Sequence, residues 1–197
     1  LLIFVCQWDS HRRSHAIIWL TIMLDILISN KTRVKLLLRF FLNPQQKAYL
    51  RGLEKEFQDS TNSIRLELNR FEEAGLISSF KEGNKKMYRV NSKYPLFNDL
   101  HSLAMKHFGV DQILDHIVSN LGVLKAVYLT GDLAAGRDSD LLDIAIVGDN
   151  IDREYLATLV EKTEQLINRK IRTVVLNSDE TSKIPETRLL IFEGRVE

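Results

Sequence analysis

Three polar residues, Gln58-Asp59-Ser60, separate two stretches of helical periodicity, and this short turn constrains the fold more than any other feature of the chain. From about Lys47 to Phe57, Leu50, Leu53 and Phe57 fall on one helical face. From about Thr61 to Ala74, Ile64, Leu68 and Phe71 do the same. A connection this short turns the second helix back across the first. Gly75 is placed as the C-terminal stop of the second helix. The period then changes: LISSF and MYRV flank Glu82-Gly83-Asn84 and read as a hairpin. Upstream, Ile26, Leu27, Val34, Leu37, Leu38 and Phe41 predict a helix from Met23 to Phe41, ended by Asn43-Pro44.

Helix, helix, polar turn, helix, hairpin is the order of a winged helix-turn-helix, expected over residues 23–93. In that arrangement the third helix enters the major groove of duplex DNA and reads base edges from its N-terminal residues. Here those residues are Ser60, Thr61, Asn62, Ser63 and Arg65, with Asn69 and Arg70 further along. Small polar side chains let a helix approach closely, and Asn and Arg offer bidentate contacts to bases. Ser60 or Thr61 is also the expected helix cap. The hairpin tip holds Lys81, Asn84, Lys85 and Lys86, its three lysines being cations suited to phosphate.

Charge points the same way. The formal net charge is only +1, but residues 23–93 carry a net +6 and residues 94–197 a net −6. Halves of opposite sign imply two domains, the basic one facing a polyanion. The stretch STNSIRLELNRFEEAGLISSFKEGNKKMYRVN (60–91) resembles the recognition helix and wing of ArsR-like winged-helix transcriptional regulators. The resemblance implies homodimers on palindromic double-stranded operators. Metal sensing is not carried over, because the third helix has no Cys or His and the single cysteine, Cys6, is isolated.

Residues 94–122 read as helical, opened by Tyr94-Pro95 and closed near Gly122. They are expected to connect the halves and to offer Leu96, Phe97, Leu100, Leu103 and Phe108 to a subunit interface. Over 123–197 the pattern alternates between strands and a helix. LKAVYLT (124–130), LLDIAIV (141–147), KIRTVVL (170–176) and RLLIFEG (188–194) are β-prone, and residues 152–168 form an amphipathic helix. The expected class is therefore α+β, a winged helix followed by a small α/β unit.

That unit contains TGDLAAGRDSDLLDIAIVGD (130–149). Its loop also reads as an ordinary strand-to-strand turn, with Gly and Asp serving the turn. The whole stretch, with Gly131, Ala134, Gly136, Ser139-Asp140 and Asp143-Ile144-Ala145-Ile146-Val147, resembles the minimal form of the polymerase-beta-like nucleotidyltransferases. The resemblance implies a backbone that approaches a triphosphate at Gly131 and paired carboxylates that hold divalent ions. Three departures oppose that chemistry. Asp140 and Asp143 are three apart, so on a regular strand they face opposite ways, and Leu141 stands where the first carboxylate belongs. Asp132 replaces the family's serine after Gly131. Arg172 replaces its third carboxylate, with Asp143 as an available partner. The site is therefore expected to be degenerate, with no catalytic residue, no metal and no cofactor, the domain serving dimerisation, docking or sensing. The alternative is an active Mg-dependent nucleotidyltransferase, using a nucleoside triphosphate and positioned by the winged helix. A non-enzymatic nucleotide sensor is the third option.

Residues 1–22 differ from the rest: they hold both tryptophans and Cys6, and they read as an atypical extension before a start at Met23. The apolar run 16–28 falls short of the ~20 residues a bilayer span needs, and Asp25 interrupts it, so no membrane association is expected. One cysteine permits no intrachain disulfide, which fits a cytoplasmic location. His11, His15, His101, His107 and His116 offer no compact ligand set, and Ser139 has no identified base.

Overall fold

The computed structural model describes residues 30–121 and 124–194, so the extension 1–22 and the expected helix start at Met23 lie outside the described residues. Asn30 is extended (φ −106°, ψ 106°) and its side chain accepts a hydrogen bond from the Arg33 amide at 3.2 Å. This cap starts helix α1 (Lys31–Leu42), which corrects the expected run from Met23: a helix through Asn30 would need a helical φ and ψ there.

Lys47–Tyr49, assigned above to a helix, is strand β1, and helix α2 covers only Leu50–Phe57. The strand exists because β3 offers it an edge: Lys47 pairs with Arg89, Ala48 with Tyr88 and Tyr49 with Met87, antiparallel. Long-range pairing here overrides local periodicity. After the turn at 58–60 come helix α3 (Thr61–Glu73), with Gly75 just beyond it at φ +76°, and the hairpin strands β2 (Ile77–Glu82) and β3 (Lys85–Val90). The three strands form one antiparallel sheet in the order β1-β3-β2.

The expected helical stretch 94–122 is two helices, α4 (Phe97–His107) and α5 (Val110–His116), parted by Gly109 at φ 75° and followed by a single 3₁₀ turn at Val118–Asn120. Helix α4 packs across α1. Of the residues expected at a subunit interface, Phe108 is buried within the chain. Phe97 and Leu100 pack against the same core, while Leu96 is exposed.

The remaining elements are β4 (Ala126–Thr130), the one-turn helix α6 (Gly131–Ala134), β5 (Leu141–Val147), α7 (Arg153–Ile167), β6 (Lys170–Leu176) and β7 (Leu189–Glu193). Their sheet runs β6-β5-β4-β7. Strands β5 and β6 are parallel, joined through α7, and the other pairs are antiparallel. The chain is thus mixed α+β. One apolar core runs through it, from Leu36, Phe40 and Phe41 of α1 through Phe108 and Ile113 to Val127, Leu142 and Ile144 of the second sheet. Polar contacts bind the two halves as well. The buried Asn43 side chain donates to the Ala134 carbonyl, and His101 Nδ1 lies 2.6 Å from the Phe41 carbonyl, to which it donates.

Candidate functional site

Helix α3 is held from beneath by one buried carboxylate. Glu67 is 1% exposed and faces α1. It accepts from Arg33 Nε at 2.7 Å, from Asn30 Nδ2 at 3.2 Å and from Arg70 Nη1. The hydrogen-bonded Arg33 guanidinium, opposed by burial, holds the Glu67 carboxyl below the usual carboxylate range. The preceding turn is tied to α1 in the same way: Thr32 Oγ1 donates to Asp59 at 3.0 Å, and Lys35 Nζ reaches Asp59 and the Phe57 carbonyl. Ser60 caps α3, its hydroxyl accepting from the Ser63 amide at 3.1 Å.

With its inner side so fixed, α3 presents Asn62, Arg65, Asn69 and Arg70 to solvent. Arg65 and Asn69 line an open groove of about 660 Å³ whose far wall is the hairpin, with Asn84, Lys85, Lys86 and Tyr88. Helix and hairpin tip therefore converge on one surface. Lys81, also expected here, does not line this groove; with Gly83, Asn84, Lys85 and Lys86 it lines a second hollow at the hairpin tip. Thr61 and Ser63 are only partly exposed, and the Ser63 hydroxyl lies 3.3 Å from that of Thr32.

The cations differ in what they touch. Among the described residues, Arg65, Lys81 and Lys85 have no carboxylate within 4.0 Å. Lys85 Nζ sits 4.5 Å from the centre of the Tyr49 ring. Lys86, in contrast, is paired with Glu72 at 2.8 Å, and Arg70 with Glu67. Glu72 is held below its ordinary value by Lys86 and by the Ser79 hydroxyl. Sequence reasoning missed four residues of the groove, Tyr49, Leu50, Arg51 and Tyr88. The first three follow from the unrecognised strand β1, which carries Tyr49 beneath the hairpin tip and starts α2 three residues later than expected; Tyr88 lies on β3, opposite Ala48. The charge of Arg51 was the only signal for it.

The acidic loop has a different geometry. Strand β5 begins at Leu141, so Asp140 lies ahead of it and is exposed, while Asp143 lies inside it. Register places Thr130 on β4 and Arg172 on β6 beside Asp143. Arg172 Nε donates to Asp143 Oδ1 at 2.5 Å, and that hydrogen bond raises the basicity of the guanidinium further. Asp132 is paired with Arg137 on the surface. Gly131 is at φ +67°, and a Cβ there would lie 2.2 Å from Asp143 Oδ2, so the loop passes directly over this carboxylate. A divalent ion would need several oxygens converging at short range. Among the described residues no three of His, Cys, Asp or Glu converge in that way. With Asp143 engaged by a cation and Asp140 outside the strand, the residues present do not fit a magnesium ion.

No family model and no curated protein matches the chain. Among solved structures, reduced HlyU from Vibrio cholerae is matched at 13% identity over 55% of this chain and 96% of that one, with a TM-score of 0.32. No helix among the described residues is long and apolar enough to cross a membrane.

Proposed function

We propose that the chain is a DNA-binding transcriptional regulator of winged-helix type. The single observation that carries this reading is the groove shared by α3 and the hairpin, where Arg65 and Asn69 face Asn84, Lys85 and Lys86. A helix with bidentate polar side chains beside a cationic hairpin tip matches what a duplex offers: base edges in the major groove and phosphates along its rim. In this reading α3 is the recognition helix, the β2–β3 hairpin is the wing, and the chain acts as a homodimer on a two-fold operator. The C-terminal half serves dimerisation or sensing without catalysis. The Arg172–Asp143 pair supports that last point, because a guanidinium occupies the carboxylate a metal would require.

Selection of genomic fragments by the purified chain tests the reading, with gel shifts on the fragments recovered. Arg65→Ala and the double variant Lys85→Ala/Lys86→Ala are expected to weaken the shift. Equal shifts by wild type and both variants would refute the assignment of helix and wing. An active nucleotidyltransferase remains the competing reading. Label transfer from a nucleoside triphosphate with magnesium, abolished by Asp143→Ala, would establish it in place of the non-catalytic one.

A further inference from the structure

The solvent face of α3 carries one residue that its polar character does not explain. Leu66 is 50% exposed, one of five large hydrophobic side chains so exposed among the described residues, and the other four lie on other elements. At 3.6 residues per turn it stands about 40° around the helix from Asn62 and about 60° from Asn69, with Arg65 and Arg70 to either side. It is thus at the middle of the exposed stripe, and every neighbour on that stripe is polar. A protein-docking patch would need further apolar residues around it, and the exposed residues of α3 that flank it, Asn62, Arg65, Asn69 and Arg70, supply none.

We propose that Leu66 reads a thymine through its 5-methyl group, so that the DNA this chain recognises has an A·T pair at the centre of each half-site. The proposal rests on the recognition-helix reading above. In the major groove the thymine methyl is the one apolar group on a base edge, and an aliphatic side chain is its match. The flanking residues fit the same DNA. Asn62 lies about 6 Å before Leu66 along the axis and Asn69 about 4.5 Å after it, within one to two base-pair steps of ~3.4 Å. An Asn side chain is suited to the N6 and N7 of adenine.

Replacing thymine by uracil in the selected operator, one position at a time, tests this with the full chain, because uracil differs only by the missing methyl. Wild type is expected to lose about fourfold in affinity at one thymine per half-site, the effect of one buried methyl-sized group. Leu66→Ala is expected to be insensitive at that position, while its binding to non-specific DNA stays at the wild-type level. Sequence-specific binding with no uracil-sensitive position, or with the same sensitivity in Leu66→Ala, would overturn the proposal and leave the recognition-helix reading standing. Failure of the wild-type chain to bind any duplex would overturn both.

Discussion

Glu67 shows how one side chain can set a functional surface without touching it. It is buried, it is charged, and it takes hydrogen bonds from both ends of the interface it closes, Arg33 on α1 and Arg70 on α3. Glu67→Gln is expected to lower stability by about 1–3 kcal/mol at neutral pH, since charge-assisted bonds are lost while the partners can regain water. The pH dependence has a definite sign. The carboxyl titrates below its ordinary value near 4.5 in the folded chain, so its stabilisation is complete above that value and is lost as pH falls through the depressed one. Denaturant melts of wild type and variant should therefore converge below about pH 4.5, and a gap unchanged at pH 3 would contradict the assignment. In the proposed function Glu72 acts in the opposite direction. Its ion pair with the half-exposed Lys86 competes with any external anion for that cation. Glu72→Gln keeps an acceptor for Ser79 but removes the charge, and operator affinity at fixed salt is expected to rise two- to fivefold, the scale of a surface pair worth ~0.5–1 kcal/mol. A fall in affinity would mean that Lys86 works only when positioned by Glu72.

At the level of elements, caps and register decide where α3 points. Ser60 satisfies the Ser63 amide at the start of the helix. Ser60→Ala is expected to cost about 1 kcal/mol in urea unfolding, and Ser60→Asn to restore most of it, because Asn caps equally well. A loss in Ser60→Asn equal to that in Ser60→Ala would show that the hydroxyl matters for something other than the cap. Helix α3, the hairpin, β5 and β6 were legible in the sequence because their signals are local: periodicity, a polar turn, an apolar run bounded by turn residues. Strand β1 was not, because its three residues become a strand only through pairing with β3, some forty residues away. The break at Gly109 was equally hidden, since apolar spacing continues through it from Phe108 to Val110. In the acidic loop, strand parity set Asp143 apart from Asp140, and the resemblance made Arg172 its available partner, which the ion pair bears out. What parity could not supply was the passage of Gly131 over that carboxylate, which depends on how a loop crosses a sheet.

Across the whole molecule, opposite net charge in the two halves contrasts with a core that does not divide between them. Leu36, Phe40 and Phe41 of α1 belong to the same apolar cluster as Leu133, Leu142 and Ile144. The seam is tight at Gly136. It is at φ +77°, and a Cβ there would fall 2.4 Å from Arg39 Nη1 and 2.8 Å from the Arg39 carbonyl. Arg39 is itself buried against Glu56, whose carboxyl is pushed upward by its desolvation. Gly136→Ala thus meets two penalties at once, an unfavourable backbone region and a clash with main chain, and about 2 kcal/mol or more of destabilisation is expected. Chains of this length often unfold through intermediates, so a shared core makes a sharp claim. Wild type should unfold in one transition by far-ultraviolet circular dichroism, with amides of α3 and of β5 exchanging hydrogen at a common limiting free energy. Gly136→Ala should lower both sets of amides together. Release of α3 amides at much lower free energy than those of β5 would mean that the basic half opens alone, and a state of the C-terminal half could then reach α3 only along the chain, not through packing.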